Sequence, residues 1–334
     1  MGHDFRKVAD VALRKERLDG SVASTCLTKN RFEMYYRGIP MRFVDSCVKK
    51  LGFLLSDKLY LSLRYRCLIG QWIDWKHPKR FTEKLQWLKV YNYKPEYTCI
   101  VDKLAVKDYV ADCIGKEYII PTLEIWDRVD DIDWDALPDQ FVLKTTHGGG
   151  GGGVVVCPDK SRFNKEEAIE KLSVSMRTNA GKTYREKPYL NVPRKILAET
   201  YIKPEASADD CQSTDLYDYK FFCFNGEVNF FKVDFGRFIE HHANYYDIDG
   251  NMLNFGEADF SPLPNYALEL PENLKEMIKL AEQLSKGEPF LRVDLYNVRG
   301  KIYFGELTLY PASGFGKWTP DETDFKIGDM LVLP

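Results

Sequence analysis

The 334-residue chain has no run of about 18 apolar residues, so nothing in it reads as a membrane span. It has no marked excess of either charge. Lys and Arg number 47 against 50 Asp and Glu, a net charge of −3 that gives no global pull toward nucleic acid or an anionic membrane. Its eight cysteines are scattered, with no CxxC pair and no histidine at zinc-finger spacing. That excludes a structural zinc site and a disulfide scaffold, and leaves reduced thiols in a cytoplasmic protein as the expectation. The first residues lack the apolar core of a signal peptide, and Arg6 breaks the myristoylation pattern. No glycine run ends in Gly-Lys-Ser/Thr after a strand, so a P-loop is absent, and Gly181-Lys182-Thr183 has no upstream glycine and strand to make one. No strand leads into a helix through spaced glycines, which removes a dinucleotide fingerprint.

What is present is centred on Phe141-Val142-Leu143-Lys144-Thr145-Thr146-His147, then a glycine run from Gly148 to Gly153, then Val154-Val155-Val156. Two apolar β-formers flank a loop almost without side chains. This is the pattern of a hairpin whose turn has become a flap. Glycine permits close backbone approach, and successive N–H groups can cradle an anion. Lys144 can add a point charge to the same anion. The loop reads either as a cover over nucleotide phosphates or as a flexible linker. Linkers usually mix glycine with serine and polar residues, and here strands abut both ends. His147 beside the flap reads two ways, as a phosphate or proton-transfer group or as an anchor for the loop.

Elsewhere the chain alternates small units. Residues 1 to about 77 read as a helical, basic-amphipathic region, with Val8, Val11 and Ala12 and later Phe43, Val44, Val48 and Leu51 at helical spacing. Its charges read as a solvated face or as a contact for a lipid-linked or acidic partner. Phe81 to Tyr91 has the spacing of a packing helix with Thr82 as N-cap, and Asp102 to Val110 that of a second helix. Tyr118 to Trp126 reads as a strand and Ala180 to Thr183 as a loop. From Asp218 the chain becomes strongly β, with a hairpin about Asn225-Gly226 of type I′ character. The hairpin Phe290–Tyr296 and Lys301–Pro311 brings Asp294 and Glu306 near one another across its ladder. Such a hard-oxygen pair suits Mg²⁺, which shares nucleotide phosphates, or is simply two solvated carboxylates.

The ordered series FTEKLQWLKVY, DKLAVKDYV, FVLKTTHGGGGG, AETYI, DYKFFCFNGEV and RVDLYNVRGKIYFGELTLYPASG resembles the ATP-grasp superfamily, and within it the TupA-like type of bacterial polysaccharide gene clusters. The resemblance runs from about Pro78 to Gly316. It implies an α+β ATP-grasp fold, two subdomains gripping ATP between antiparallel sheets, with an N-terminal helical region. The implied divisions are 1–77 helical, 78–140 a linking αβ segment, 141–203 the small subdomain with the flap, and 204–334 the large subdomain with the metal site. Carried over by motif, Lys103 and Lys144 hold the α- and β-phosphates. The flap, including Gly148, Gly149, Gly150 and Gly151, closes over the β- and γ-phosphates. Glu199, Thr200, Tyr201 and Ile202 form the adenine hinge. Asp294 and Glu306 ligate Mg²⁺, expected as two ions, and Thr308 stands where many members carry a metal-binding Asn. Arg292 stabilises the transferred phosphoryl group or the later oxyanion, and Lys220 meets the γ-phosphate or an acceptor carboxylate.

The resemblance implies an ATP-dependent carboxylate–amine ligase that forms an amide through an acyl phosphate. It joins an amine or amino acid to a uronic-acid-type sugar, with no nucleic-acid partner and with peripheral contact to lipid-linked glycan or biosynthesis enzymes. Two other readings stand beside it: a phosphotransferase on the same fold, and a glycosyltransferase or sugar-binding protein, for which the aromatics and Tyr245-Tyr246-Asp247 speak.

Overall fold

The computed structural model describes residues 41–149, 151–204, 216–236, 240–266 and 268–334. The expected helical spacing at Val8 to Ala12, Gly150 of the flap and most of the polar loop 203–215 lie outside them. The chain divides into a unit ending at Phe43 and a compact unit from Val44 to Pro334.

The N-terminal part of the compact unit is helical, as expected. Helices α1 (Met41–Leu51) and α2 (Asp57–Leu68) precede α3 (Phe81–Tyr91), α4 (Tyr97–Val101) and α5 (Val106–Ile114). Ser56 caps α2 by accepting from Leu59 N–H. A small core of Val48, Tyr60, Leu61, Tyr65 and Ile73 forms here, with Arg64 buried on Asp45 at 2.8 Å. Thr82 does not cap α3. The helix starts after Arg80, and Glu83 Oε2 accepts from the backbone N–H groups of Lys79 and Arg80. Thr82 Oγ1 instead donates to Asp324 at 2.7 Å.

Four strands form the first sheet: β1 (Thr122–Trp126), β2 (Phe141–Thr145), β3 (Val154–Cys157) and β4 (Ile196–Thr200), in the order β1-β4-β2-β3, all antiparallel. β1 lies in the segment expected as a linking αβ unit and begins at Thr122, after a short 3₁₀ turn at Lys116–Tyr118. Alternation along β2, buried at Phe141, Leu143 and Thr145, turns one face to α6 (Lys165–Arg177) through Ala168 and Leu172. Ala180–Tyr184, expected as a loop, is the short helix α7, begun by Asn179 accepting from Lys182 N–H.

The second sheet has five strands: β5 (Asp218–Phe224), β6 (Glu227–Phe235), β7 (His242–Asp247), β9 (Phe290–Val298) and β10 (Lys301–Thr308), in the order β10-β9-β5-β6-β7. β8 (Gly256–Glu257) pairs separately with β11 (Trp318–Thr319), and α9 (Glu322–Met330) packs against α3. One face of the five-stranded sheet carries Tyr219, Phe221, Phe231, Val233, Val293, Leu295 and Leu307. It packs on the apolar stripe of α8 (Leu274–Ser285), whose Leu274, Met277, Ala281 and Leu284 are buried. This hydrocarbon layer supplies the sheet's stability, and the opposite face is left to carry charge.

Both hairpins of this sheet contain a one-residue irregularity that decides what that face holds. Asn225 and Gly226 have φ of 53° and 87°, the left-handed pair that a type I′ turn needs. Phe224 then faces Glu227 and Cys223 faces Val228, but the next pair is Phe222 with Phe230. Asn229 is the extra residue. Beyond it Lys220 faces Lys232, and Asp218 faces Asp234. Without the bulge Lys232 and Asp234 would lie on the α8 face, because a one-residue slip exchanges the two faces. The β9–β10 hairpin repeats the device. Phe304 faces Leu295, then Gly305 is extra, and Glu306 faces Asp294. A Cβ on Gly305 would stand 3.0 Å from Asp294 O and 3.1 Å from the Tyr296 ring, so a side chain there would press on β9.

Candidate active site

The two bulges produce a single register row across five strands: Glu306, Asp294, Lys220, Lys232 and Tyr245. Arg292 and Thr308 lie one step along, facing each other, and Asp218 faces Asp234 one step the other way. Beyond Arg292 the face is closed by stacked aromatics, with Phe222 and Phe230 at 4.6 Å and Trp318 against both. The polar groups therefore sit on a water-poor floor, where charge interactions are strong.

Asp294 is buried and fully engaged. Arg292 Nε and Nη2 donate to its two oxygens at 2.7 and 2.8 Å, and Lys220 Nζ also donates to it. Arg292 Nη2 donates to Thr308 Oγ1 at 3.0 Å. Burial alone pushes the Lys220 ammonium down, but Asp218 and Asp294 outweigh it and hold its pKa above the ordinary lysine value. The same balance raises Arg292. Glu306 is pushed up by burial and held down more strongly by Lys103, Arg292 and Lys220. Lys103 Nζ bridges Glu306 Oε1 at 3.2 Å and Gly148 O at 2.5 Å, so one ammonium ties the acidic hairpin to the root of the flap.

Lys144 reaches the small sheet's own carboxylate. Lys144 Nζ lies 2.6 Å from Glu199 Oε2, and Lys107 Nζ lies 2.5 Å from Glu199 Oε1. Burial raises the Glu199 carboxyl, yet the two ammonium groups prevail and keep it below the usual range. Lys107 also donates to Ile120 O and Thr122 Oγ1, both at 2.8 Å. Among the described residues Glu199 is the ion-pair partner of Lys144, whose three donors leave capacity for a ligand. Glu199, expected at the adenine hinge, thus acts through its side chain as the brace that aims Lys144. Thr200 N–H donates to Pro121 O at 3.0 Å, so this hinge donor is committed within the protein. Tyr201 and Ile202 follow β4 outside any strand, half-buried.

The flap is built as a hairpin extension. Lys144 faces Val154, and Thr145 N–H donates to Gly153 O at 2.9 Å. A Cβ on Gly148 or Gly153 would come within 2.4 or 2.1 Å of Thr145 Oγ1, whereas Gly149 faces open space. Gly151 has φ of 75°. His147 is buried at the flap root, with Nε2 3.1 Å from Ser175 O, and burial lowers its pKa. This is the anchoring geometry, one of its two readings, and it sets the ring on α6 rather than among the acidic hairpin's groups.

The structure therefore joins Lys103, Gly148, Glu306, Asp294, Arg292, Thr308 and Lys220 in one network, and Lys144 with Glu199 in another. The sequence reading placed Lys232 with Lys220 on the polar face or in a site, and missed Lys107, Asp218, Asp234 and Glu257. A signal existed for Asp218 and Asp234: Asp218-x-Lys220 and Lys232-x-Asp234 mirror each other about Asn225-Gly226.

A family model described as TupA-like ATPgrasp matches residues 83–332. The chain belongs to the TupA-like ATP-grasp family. Solved structures similar to this ATP-grasp chain include D-alanine–D-alanine ligase from Bacillus anthracis. That match has 19% identity and a TM-score of 0.37, and covers 63% of this chain and 57% of that one. The Helicobacter pylori D-alanine–D-alanine ligase gives 14% identity, covers 77% and 70%, and has a TM-score of 0.41. The L-amino acid ligase from Bacillus licheniformis gives 15%, 70% and 49%, and 0.40. This ATP-grasp chain thus spans less than two thirds of the first of these ligases. The comparison with curated proteins gives no match. No described helix is long and apolar enough to cross a membrane.

Proposed function

We propose that this protein is an ATP-dependent carboxylate–amine ligase, forming an amide through an acyl phosphate on a uronic-acid-type sugar of a bacterial surface polysaccharide. The observation that carries the reading is the register row in which Glu306 and Asp294 face each other while Lys103 links Glu306 to the flap. The sugar and the pathway rest on the family alone, and with ATP as co-substrate the work belongs in the cytoplasm.

The donor set fits the cofactor. Among the described residues no three His, Cys, Asp or Glu side chains are arranged to hold a metal ion by themselves, so a complete protein cage is absent. Two carboxylates on facing strands suit Mg²⁺, which takes one or two protein carboxylates and completes its shell with water and phosphate. Asp294 and Glu306 would hold it, with Thr308 beside them, exchanging Arg292, Lys220 and Lys103 for the ion. Bound Mg²⁺ would screen phosphate charge and polarise the transferred phosphoryl group. Lys144 and Lys103 then orient the nucleotide's phosphates, and the Gly148–Gly153 flap, including Gly150, excludes water from them. Lys220 and Arg292, released from Asp294, meet charge on the transferred phosphoryl group and on the acyl oxygen.

The substrate carboxylate takes the γ-phosphoryl group, and the electron pair of the broken P–O bond stays with ADP. The amine attacks the acyl carbon, and the C–O bond to phosphate breaks with its electron pair on the phosphate. Of the ammonium's three protons one stays on the amide, one ends on phosphate and one leaves to solvent.

The test uses Mg-ATP with uronic acids and a panel of amines, following ADP, phosphate and amide by mass spectrometry. Asp294→Asn and Glu306→Gln should each lower turnover roughly 10²- to 10³-fold. Unchanged turnover in both would remove the metal assignment. A phosphorylated glycan without free phosphate would make the protein a phosphotransferase instead.

A further inference from the structure

Tyr189 lies beside the acidic hairpin, on a segment apart from the flap and its lysines. It belongs to a 3₁₀ turn (Lys187–Leu190) between α7 and β4, and its N–H donates to Glu186 O at 3.1 Å. That turn packs on α4, and α4 packs on β10, the strand of Glu306. The Tyr189 ring is half-buried against the main core, yet among the described residues its hydroxyl has no hydrogen-bond partner. Burial first, then the charges of Glu186 and Glu306, hold its phenol well above the ordinary value of 10, against the smaller pull of Arg292. The hydroxyl therefore keeps its proton and stands as an unused donor next to Glu306 and Arg292.

The turn is held from outside. Lys89 of α3 is buried, and its Nζ donates to Tyr184 O at 3.1 Å and to Ser313 O at 2.7 Å, and lies 3.5 Å from Glu186 Oε1. One ammonium thus ties the segment leading into Tyr189 to the loop that follows β10. In that loop Ala312, Ser313 and Gly314 have φ of 46°, 53° and 65°. Two of the three carry a Cβ, so this left-handed run costs free energy and persists only while its surroundings hold it. The holders are Lys89 and Gln86, whose Nε2 donates to Ser313 O at 3.0 Å and to Gly314 O at 2.8 Å. A buried ammonium adds little stability over well-packed hydrocarbon. What it fixes here is the wall beside Arg292 and Glu306, with Tyr189 on one segment and Tyr310, at the start of the loop, on the other.

We propose that the Tyr189 hydroxyl donates a hydrogen bond to the carboxylate substrate beside Arg292, and that Lys89 is the positioning residue that sets it there. The inference deepens the ligase reading and rests on it. The carboxylate that takes the γ-phosphoryl group has to lie next to Arg292 and the acidic hairpin. One of its oxygens attacks phosphorus, and the other is left to accept from Tyr189. A neutral donor to an anionic oxygen makes a charge-assisted bond, and it tells a sugar acid from the sugar that lacks the carboxyl group.

The experiment is calorimetric titration of the full chain with glucuronate, with and without Mg-AMPPNP, and with glucose as the control. Glucuronate should bind and glucose should not. Tyr189→Phe should weaken glucuronate roughly tenfold or more. Its Mg-AMPPNP affinity and melting temperature should stay at the wild-type values, because the lost hydroxyl bonds nothing in the protein. Lys89→Met should weaken glucuronate in the wild-type background and add little on top of Tyr189→Phe, whereas a merely structural lysine would add its loss in both. Additive losses overturn the positioning role. Equal glucuronate affinity in wild type and Tyr189→Phe, or none in wild type, overturns the contact, and this arm decides if Lys89→Met does not fold. A glucuronate site that depends on Tyr189 in a chain that binds no Mg-AMPPNP would keep the contact and sink the ATP-dependent reading. Amide formation by a chain whose glucuronate affinity ignores Tyr189→Phe would do the reverse.

Discussion

Glu199 on β4 and Asp294 on β9 are both buried carboxylates held by two cations, one on each sheet, yet their surroundings differ in kind. Glu199 gives one oxygen to Lys107 and the other to Lys144, and its strand neighbours are Ala198 and Val142 of the core and sheet. Among the described residues no further ion pair extends this group of three. Asp294 is one member of a row that runs from Glu306 to Tyr245 and draws in Arg292, Asp218 and Asp234. The first arrangement is a closed brace with a single outcome, the aim of Lys144. The second is open, since Lys220 touches three carboxylates. A closed brace should show itself in stability, and an open network in turnover.

The largest effect expected from the brace is Glu199→Gln. It leaves two half-buried ammonium groups without their counter-charge and should cost up to about 3–5 kcal/mol in chemical denaturation. The pH dependence follows from the direction of the shift. The folded carboxyl lies below its ordinary value of 4.5, so the unfolded chain binds the proton first as pH falls. The stabilisation is complete above 4.5 and is lost as pH drops through the lower folded value. The variant should lack that part of the acid limb, and an unchanged acid limb would break the comparison.

Next come the two lysines taken together. Lys144→Met and Lys107→Met each leave Glu199 one cation, so both should destabilise. Lys144→Met alone should raise KM for ATP, by roughly ten- to a hundredfold for one charge-assisted contact. Equal KM values would mean that Lys144, too, is only part of the brace. For the open network, Gly305→Ala presses a methyl onto Asp294 O and should lower turnover more than stability, the latter by about 1–3 kcal/mol. The flap offers the finest contrast. Gly153→Ala collides with Thr145 Oγ1 and Ser175 Oγ and should lose about 1–3 kcal/mol, while Gly149→Ala meets nothing and should stay within about 0.5 kcal/mol. A loss of stability in Gly149→Ala would show the flap packed where the structure has it open.

Much of the site was legible because its parts are local patterns. The glycine run between β2 and β3, Lys144 before it, and the Arg292-x-Asp294 and Glu306-x-Thr308 pairs are adjacent in sequence, and period-two alternation puts each pair on one face. The brace was not legible. Lys107 sits on α5, and its meeting with Glu199 depends on how that helix lies against β1 and β4. β1 was legible as a strand, but its pairing with β4 was not, since an edge strand's partner is decided only in three dimensions. Thr82 looked like a cap by residue type, but Asp324, some 240 positions away in sequence, claims its hydroxyl.

The sequence alone determined the order of the elements, the tight turn at Asn225-Gly226 and a turn within Asn297 to Gly300, and the residue types a phosphate- and cation-handling site requires. Which of those residues share a face was decided only in three dimensions. Counting from either turn without a bulge sends Lys232 and Asp234, or Glu306, to the side facing α8. One extra residue at Asn229 and another at Gly305 reverse that parity, because side chains alternate with a period of two. The hydrocarbon on α8 fills the apolar face, and the bulges let the charges escape it.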